Sequence, residues 1–567
     1  MSATTDITAL LGSLELTRRD AAPDLAGVEA TYAADPASTS FWSALLEDAG
    51  SSEGLLRSRP GRGIELYHDA IARHAASRAI ALSVLDASGE FQHLSFAELD
   101  AAATSCASAW SLAGLEPGQV LALTLPMGVT WLVAFAAALR LGLTVSCLAS
   151  FGEDALSTRL RALKPSGVVF DPAGPPPPAE FAELALSVAR SSASHAPPPR
   201  AYAPQHAFAK LFSPVRAPLD QPNAVSAHAA LLWGLRDARF AYRITPSSGL
   251  ATPGLPFEQH QPALVLATLL TGARFVELSI SAIERNPRLL AQPFITTLGV
   301  SPALRDVLRR APAGPLPELR DWWKSVDEPL DWSAWREFIQ KNELDALPAS
   351  NLLVDAASGG ALLIAARRPG TADAFVVPSP GVPFALCDVT SGANALGGAG
   401  VFSSGAEPDP KNPGWFLLVK RASEYLYGNT LLPRRAGRVF PEDEVVECVT
   451  RLPGVDGACV VPVATSSPGM VWAFVLIVFA GTRAAAARER LGRELDHVIR
   501  SRLGNDFVPD HVVIIPLHAR KKDGELDLAW CRRQYSAGFL PRKANLPVFR
   551  RLTALRATLR TNSDDAR

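Results

Sequence analysis

A chain of 567 residues that is 48% hydrophobic and 20% charged has an ordinary globular composition and is long enough for two or more domains. A formal net charge of −1 gives no hint of nucleic acid or an anionic membrane as a partner. Cys106, Cys147, Cys387, Cys448, Cys459 and Cys531 are scattered, with no CxxC pair and no histidine at metal-ligand spacing. Neither a disulfide framework nor a metal site is expected, and a reducing cytoplasm is the natural compartment.

The first residues, MSATTDITALLGSLELTRRDAAPDL, lack the basic start and unbroken apolar core of a secretory signal. Residues 1–60 read as a mixed lead-in with Trp42 as a packing anchor. The stretch 64-IELYHDAIARHAASRAIALSVLD-86 predicts an amphipathic helix with Ile64, Tyr67, Ile71 and His74 on one face, then a strand. Ser95 stands three residues before Glu98, a capping-box spacing that opens a helix running to Gly114. Strand 119–126, helix 129–142 and strand 143–150 follow. The apolar run across them is broken by Pro126, Gly128, Arg140 and Gly142, whereas a membrane span needs roughly 20 continuous apolar residues. A further helix and strand occupy 154–171, and this alternation predicts a doubly wound α/β layer with a mainly parallel sheet.

The proline-rich runs 172–180 and 191–200 read as surface loops. A second α/β stretch spans about 205–320. Trp322, Trp323, Trp332 and Trp335 after it are expected to pack in the core. A glycine-rich β-like region covers 355–420, where 392-GANALGGAG-400 reads as a loop, and a compact βαβ tail begins near 437. The stretch 242-YRITPSSGLATPGLPFEQH-260 imitates a phosphate-binding loop, but its Gly, Pro and Ser are equally ordinary turn residues.

Several pieces, taken in order, resemble the adenylate-forming (AMP-dependent) acyl-CoA synthetase/ligase superfamily. The run 94-LSFAELDAAATSCASAWSLAGLEPGQVLALTLPMGVTWLVAFAAALRLG-142 is similar to that family's opening. Residues 437-GRVFPEDEVVECVTRLPGVDGACVVPV-463 and 508-VPDHVVIIPLHARKKDGELD-527 are similar to its closing segments. The resemblance covers about five-sixths of the chain. It implies a large N-terminal domain with doubly wound sheets and a β-rich subdomain (61–425), a small mobile α+β C-terminal domain (434–540), and a basic tail (541–567). It also implies an active site in the cleft between the two domains.

Fold does not license function. The family's chemistry joins a carboxylate to ATP and passes the acyl group to a thiol, and each motif that handles ATP is altered here. The phosphate-loop slot reads 213-SPVRAPLDQPNAV-225, with Asn223 where the resemblance places a lysine. The acidic motif near 353-LVDAASGGALLIA-365 keeps Gly359 and Gly360, but Ala361 and Leu362 stand where Thr and the acid belong; Asp355 is the nearest carboxylate. Without an acid there, the magnesium that bridges ATP phosphates loses a protein ligand. Ala406 replaces the ribose-binding Asp, while Arg421 matches the family arginine.

In 521-KKDGELD-527 the catalytic lysine's place is taken by Glu525, with Lys521 and Lys522 as candidate substitutes. Removing one such donor costs roughly 10²–10³ in rate. Reversing its charge adds about 4 kcal/mol of repulsion for unit charges at about 4 Å. His228 and His260 fall in segments that build the family's acyl pocket, although a lone histidine is more often a satisfied structural group.

The expectation is a protein that has lost ATP-dependent adenylation and binds an acyl, acyl-thioester or carrier/partner-protein ligand, with no nucleic acid and no cofactor. Two alternatives stay open. One is an active AMP-forming acid–thiol ligase using ATP, Mg²⁺ and CoA with relocated catalytic groups. The other is an ATP-independent enzyme acting on a pre-activated acyl thioester.

Overall fold

The computed structural model describes residues 45, 56–58, 63–86, 88–148, 152–174, 176–188, 197–212, 221–325, 332–357, 360–367, 438–464, 472–481 and 485–515. It also describes short segments between 377 and 435 and a few residues between 527 and 533. Two compact units emerge: residues 1–149 with 159–430, and residues 150–158 with 431–567.

The two largest sheets both lie in the first unit. Their strands in chain order are β1 (Ile80–Leu85), β2 (Phe91–Ser95), β3 (Val120–Leu123), β4 (Thr144–Cys147), β5 (Gly167–Val169), β6 (Ala185–Leu186), β7 (Ala207–Leu211) and β8 (Asn223–Ser226). They continue as β9 (Gly249–Ala251), β10 (Arg274–Glu277), β11 (Thr297–Val300), β12 (Asp321–Ser325), β13 (Ala349–Asp355), β14 (Gly360–Arg367) and β15 (Val377–Pro378). A six-stranded sheet has the order β6-β5-β3-β4-β7-β8, and a nine-stranded sheet the order β15-β14-β13-β12-β11-β9-β10-β1-β2. The six central strands of the larger sheet, β13 through β1, are joined by parallel ladders, and antiparallel strands close both edges.

One apolar core draws Leu121 and Val145 from the smaller sheet and Leu250, Phe275, Trp323 and Leu352 from the larger. Helix Val129–Leu141 belongs to it and is buried on every side, the mark of a helix packed between layers rather than on a surface. The opposite face of the larger sheet is covered by helices Ile280–Arg285, Pro302–Arg310 and Trp332–Lys341 through a second core of Val276, Leu298, Val300, Leu304 and Trp335. Helices on both faces of a mostly parallel sheet are the doubly wound arrangement expected from the sequence. Trp322, Trp323 and Trp335 are buried, as expected of core residues.

Local chemistry explains several elements. Ser95 Oγ accepts from the Glu98 amide at 3.2 Å, and Glu98 Oε2 accepts from the Ser95 amide at 2.8 Å, a reciprocal cap that satisfies two otherwise orphaned donors. The helix it opens buries Phe96, Leu99, Ala103, Cys106, Ala107 and Trp110 along one stripe. It ends where Gly114 takes a φ of +89° and Leu115 N–H returns to the Trp110 carbonyl at 3.1 Å.

Three sequence expectations change. The helix expected over 64–74 is split into a helix at Leu66–Ala70 and a 3₁₀ turn at Ala72–His74, although Ile64, Tyr67, Ile71 and His74 are all buried. The end of the phosphate-loop slot is not a loop, because Asn223–Ser226 pair with Leu211–Ala207 as an edge strand before Ser226 caps helix Ala227–Arg236. Gly249–Ala251 of the loop-like stretch is a central strand of the larger sheet, hydrogen-bonded on both sides.

Seven two-residue strands follow: Leu386–Cys387, Val401–Phe402, Glu407–Pro408, Phe416–Leu417, Leu426–Tyr427, Arg434–Arg435 and Arg438–Val439 (β16–β22). The second unit contains β23 (Gly457–Ala464) antiparallel to β24 (Trp472–Phe479), which runs parallel to β25 (His511–Ile515). Helices Glu442–Thr450 and Ala485–Arg502 supply Val445, Val449, Leu495 and Ile499 to a core against one face of this sheet. Among the described residues, no helix is long and apolar enough to cross a membrane.

Replacing Ser95 by Ala is expected to remove about 1 kcal/mol of stability through loss of the cap. Urea denaturation would show this as a lower midpoint with an unchanged slope.

Candidate functional site

Chain order reverses at β9. β10, the next strand in sequence, lies on one side of it and β11 on the other. In open α/β sheets, ligands bind outside the carboxyl ends of the strands at such a switch point. The candidate site is therefore built from the residues that follow β9 and β11, from the end of β10, and from the side chains that cover them.

After β9 the chain turns tightly through Thr252–Gly254. Gly254 has a φ of +73°, and a Cβ there would meet Ser301 Oγ and the Ile280 side chain at under 3.0 Å. Ser301, just beyond β11, donates to the Pro253 carbonyl at 2.8 Å and accepts from the Leu304 amide at 3.1 Å, capping helix Pro302–Arg310. The hydroxyl thus ties the two loops at the crevice to each other. Helix Phe257–His260 then crosses the end of β13: Gln259 Nε2 donates to the Val354 carbonyl at 2.9 Å, and the Gln259 carbonyl accepts from Ala356 N–H at 2.9 Å. Glu258 forms a buried ion pair with Arg159.

Trp323 of β12 sits beneath this cover. The His260 ring lies 5.7 Å from it and the Tyr242 ring 5.2 Å, both tilted. Across the same face, Val84 pairs with Glu277, and Gly299 pairs with Trp323. Glu277 is a carboxylate at the carboxyl end of an apolar strand. Burial alone pushes its acid up from the usual carboxylate range to about 7.

A second polar cluster fixes the start of β14. Arg236 and Asp237 are both buried. Arg236 Nε donates to Asp237 Oδ1 at 2.7 Å, and its Nη2 donates to the Ala361 carbonyl at 3.1 Å. Ala361 N–H donates to Asp237 Oδ2 at 2.9 Å. Burial pushes the Asp237 carboxyl up, opposed by the Arg236 charge and by these hydrogen bonds.

Gly360 therefore has a packing role that its sequence context did not reveal. Its φ is +71°, and a Cβ would stand 2.1 Å from Asp237 Oδ2. Ala361 and Leu362 are buried and offer no side-chain oxygen, and buried Asp355 directs Oδ1 to the Ala357 amide at 3.1 Å. The residues at this position do not fit a magnesium ion.

The other sequence candidates are dispersed. Asn223 opens edge strand β8 opposite Leu211. His228 is half-buried in the first turn of helix Ala227–Arg236, with its amide donating to the Pro204 carbonyl at 3.2 Å. Only His260 lies in the switch-point cluster, fully buried against Trp323. Gly359, Arg421, Lys521, Lys522 and Glu525 lie outside the described residues, as does 213–220 of the phosphate-loop slot. Sequence reasoning missed Glu277, Trp323 and the Arg236–Asp237 pair as site features. A lone acid inside 274-RFVEL-278 was the one local signal available.

Two mixed sheets joined through a shared core, with this crevice at the reversal of strand order, define an adenylate-forming type of fold. Residues 68–230 match the model of the AMP-binding enzyme family. No curated protein matches it significantly.

Among solved structures, it is similar to the amide bond synthetase McbA from Marinactinospora thermotolerans. That likeness has a TM-score of 0.59 at 20% identity and covers 83% of this chain and 99% of that one. It is also similar to o-succinylbenzoate CoA synthetase (MenE) from Bacillus subtilis bound to its product analogue OSB-NCoA. Here the TM-score is 0.58 at 14% identity, with 83% and 98% of the chains covered.

Two outcomes are expected from this geometry. Gly360→Ala should cost roughly 2 kcal/mol or more, from strained backbone and the clash with Asp237, read as a fall in urea midpoint. Glu277→Gln should match the parent near pH 4, where the acid is protonated in both folded and unfolded chains. Its relative stability should rise between about pH 4.5 and 7, as the parent loses the advantage of a neutral buried acid. Denaturation midpoints at pH 4 and pH 8 check the sign.

Proposed function

We propose that this protein binds an acyl or acyl-thioester ligand at the switch-point crevice of its larger unit and does not carry out ATP-dependent adenylation. The observation that carries the reading is the sealed position at the start of β14. Where the family resemblance calls for an acid that holds magnesium, Ala361 and Leu362 are buried, and both backbone polar groups of Ala361 are held by the Arg236–Asp237 pair. No carboxylate oxygen of these two residues is available to the metal that would bridge ATP phosphates.

The sequence carries the same reading at three further positions, of which Asn223 lies in β8 and the other two lie outside the described residues. Asn223 stands at the end of a slot without the family's glycine-rich run, Ala406 replaces the ribose acid, and Glu525 replaces the lysine. Each substitution removes a group that stabilises ATP or its developing charge, so the losses reinforce one another. The shell around them supports retention of binding: the crevice loops, the covering helix Phe257–His260 and the shared core are all formed. A cytoplasmic setting belongs to the same reading, with Cys106, Cys147, Cys448, Cys459 and Cys531 as buried free thiols.

ATP–pyrophosphate exchange with purified protein and a panel of aliphatic and aromatic carboxylic acids tests the proposal. The expected rate is the no-enzyme background, and calorimetric titration with ATP–Mg is expected to give no heat of binding. Robust carboxylate-dependent exchange would overturn it. If that exchange then disappears when Lys521 and Lys522 are both changed to Ala, the active-ligase alternative with relocated lysines is the correct one.

A further inference from the structure

The three-stranded sheet of the second unit has two apolar faces with different covers. Along β23, Ala458 and Val460 face the core built with helices Glu442–Thr450 and Ala485–Arg502, so alternation turns Cys459 and Val461 to the opposite face. There they join Val475, Ile477, Val513 and Ile515 in a separate cluster. Among the described residues, only Trp530 and Cys531 enter this cluster from outside the sheet.

Trp530 and Cys531 arrive on a single helical turn. Asp527 starts it: its Oδ1 accepts from the Trp530 amide at 2.8 Å, and its carbonyl accepts from the Cys531 amide at 3.0 Å. Both side chains are buried, Cys531 completely. The Trp530 indole nitrogen finds no hydrogen-bond partner among the described residues, so the indole holds to the sheet by apolar contact alone.

The sequence separates Cys459 from Cys531 by about seventy residues, and the fold sets their sulfurs against each other. A thiol–thiol hydrogen bond with Cys531 is the first cause that raises Cys459 above the usual thiol range, and burial is the second. The other described buried thiols have different surroundings. Burial alone raises Cys147 and raises Cys106 to about 12. Cys448 donates to the Val498 carbonyl at 3.7 Å.

We propose that Cys459 and Cys531 are an oxidative modification site: with a small-molecule disulfide such as oxidised glutathione, they close a reversible cross-link between edge strand β23 and the segment after Asp527. The Cys531 thiolate attacks one glutathione sulfur, forms a mixed disulfide and expels one glutathione thiolate. The Cys459 thiolate then attacks the Cys531 sulfur, closes the protein disulfide and expels the second glutathione. Two cysteines are oxidised, one glutathione disulfide is reduced, and the two cysteine protons pass through solvent to the leaving thiolates. Cys531 reacts first, because a single helical turn opens more readily than the interior of an eight-residue strand. Burial sets the rate through that opening. Contact between the sulfurs sets the product, because the second thiol is already in place when the first is captured. The cross-link also fixes the carboxyl end of 521-KKDGELD-527, which carries Lys521, Lys522 and Glu525. It is independent of what binds at the crevice of the larger unit.

The test equilibrates the full chain, without denaturant, in mixtures of reduced and oxidised glutathione. Remaining thiols are then trapped with a maleimide after an acid quench, and peptides are mapped by mass under non-reducing conditions. The expected product is the Cys459–Cys531 disulfide, with Cys106, Cys147 and Cys448 still reduced. Hydrogen exchange in the peptide carrying the Trp530 and Cys531 amides should slow at least about tenfold on oxidation and recover on reduction. Cys459→Ala should abolish the bridge and the slowing, leaving a glutathione adduct at Cys531 as the end point. Cys531→Ala, on the terminal turn, should abolish both without altering the sheet. Four outcomes would overturn the proposal: both cysteines still reduced in the most oxidising mixture, a stable glutathione adduct on the unaltered chain with no bridge, equal cross-linking of other cysteine pairs, or exchange unchanged by oxidation.

Discussion

The buried Arg236–Asp237 pair is the constraint on which the larger unit's organisation around the crevice depends. Both charges have left water, and their attraction offsets that loss only because every hydrogen bond is well placed. Two of those bonds reach the peptide of Ala361, more than a hundred residues further along the chain. They join the helix that precedes Tyr242 to the first residues of β14. Disturbing either partner leaves an uncompensated buried charge, which in general costs about 3–5 kcal/mol. A side chain at Gly360 is excluded for the same reason, because the carboxylate occupies its space.

This arrangement separates two properties that the family resemblance joins. Holding a ligand at a strand-order reversal needs loops of fixed course and a cover, and both are built from hydrogen bonds such as Ser301 to Pro253 and Gln259 to Val354. Activating a carboxylate with ATP additionally needs anions and cations at particular atoms. The fold does not supply these by itself, and they can be lost without disturbing a core made of Leu250, Phe275, Trp323 and Leu352. At the start of β14, apolar packing and a structural ion pair occupy the position that the family resemblance aligns with an acid.

Local chemistry was legible in the sequence where it decides structure unaided. The Ser95–Glu98 box and the stop at Gly114 are short-range hydrogen-bonding and backbone effects, and the helix has the expected ends to within two residues. Helix Val129–Leu141 was equally clear, from its apolar run and the left-handed Gly142. Non-local pairing was not legible. Asn223–Ser226 has helix-like neighbours but is drawn into the sheet by Ala207–Leu211. Gly249–Ala251 is too short and too glycine-rich to announce a central strand. For the candidate site, His260 was expected because its segment resembles a known one, whereas Glu277 and Trp323 are placed there only by strand register.

The order of strands in the larger sheet also bears on how the chain is made. β1 is among the first strands to leave the ribosome, yet its parallel neighbour β10 follows almost two hundred residues later. Until then the β1–β2 hairpin exposes one open edge, with backbone donors and acceptors that any other extended chain could engage. β9, β10 and β11 must all be synthesised before the centre of the sheet can close, and such long-range parallel pairing is intrinsically slow. The smaller sheet, whose strands lie between residues 120 and 226, is complete earlier and offers an apolar surface on which the later strands can gather. Synthesis from the amino end thus presents the halves of the shared core in a fixed sequence, the smaller sheet first and the ligand crevice last.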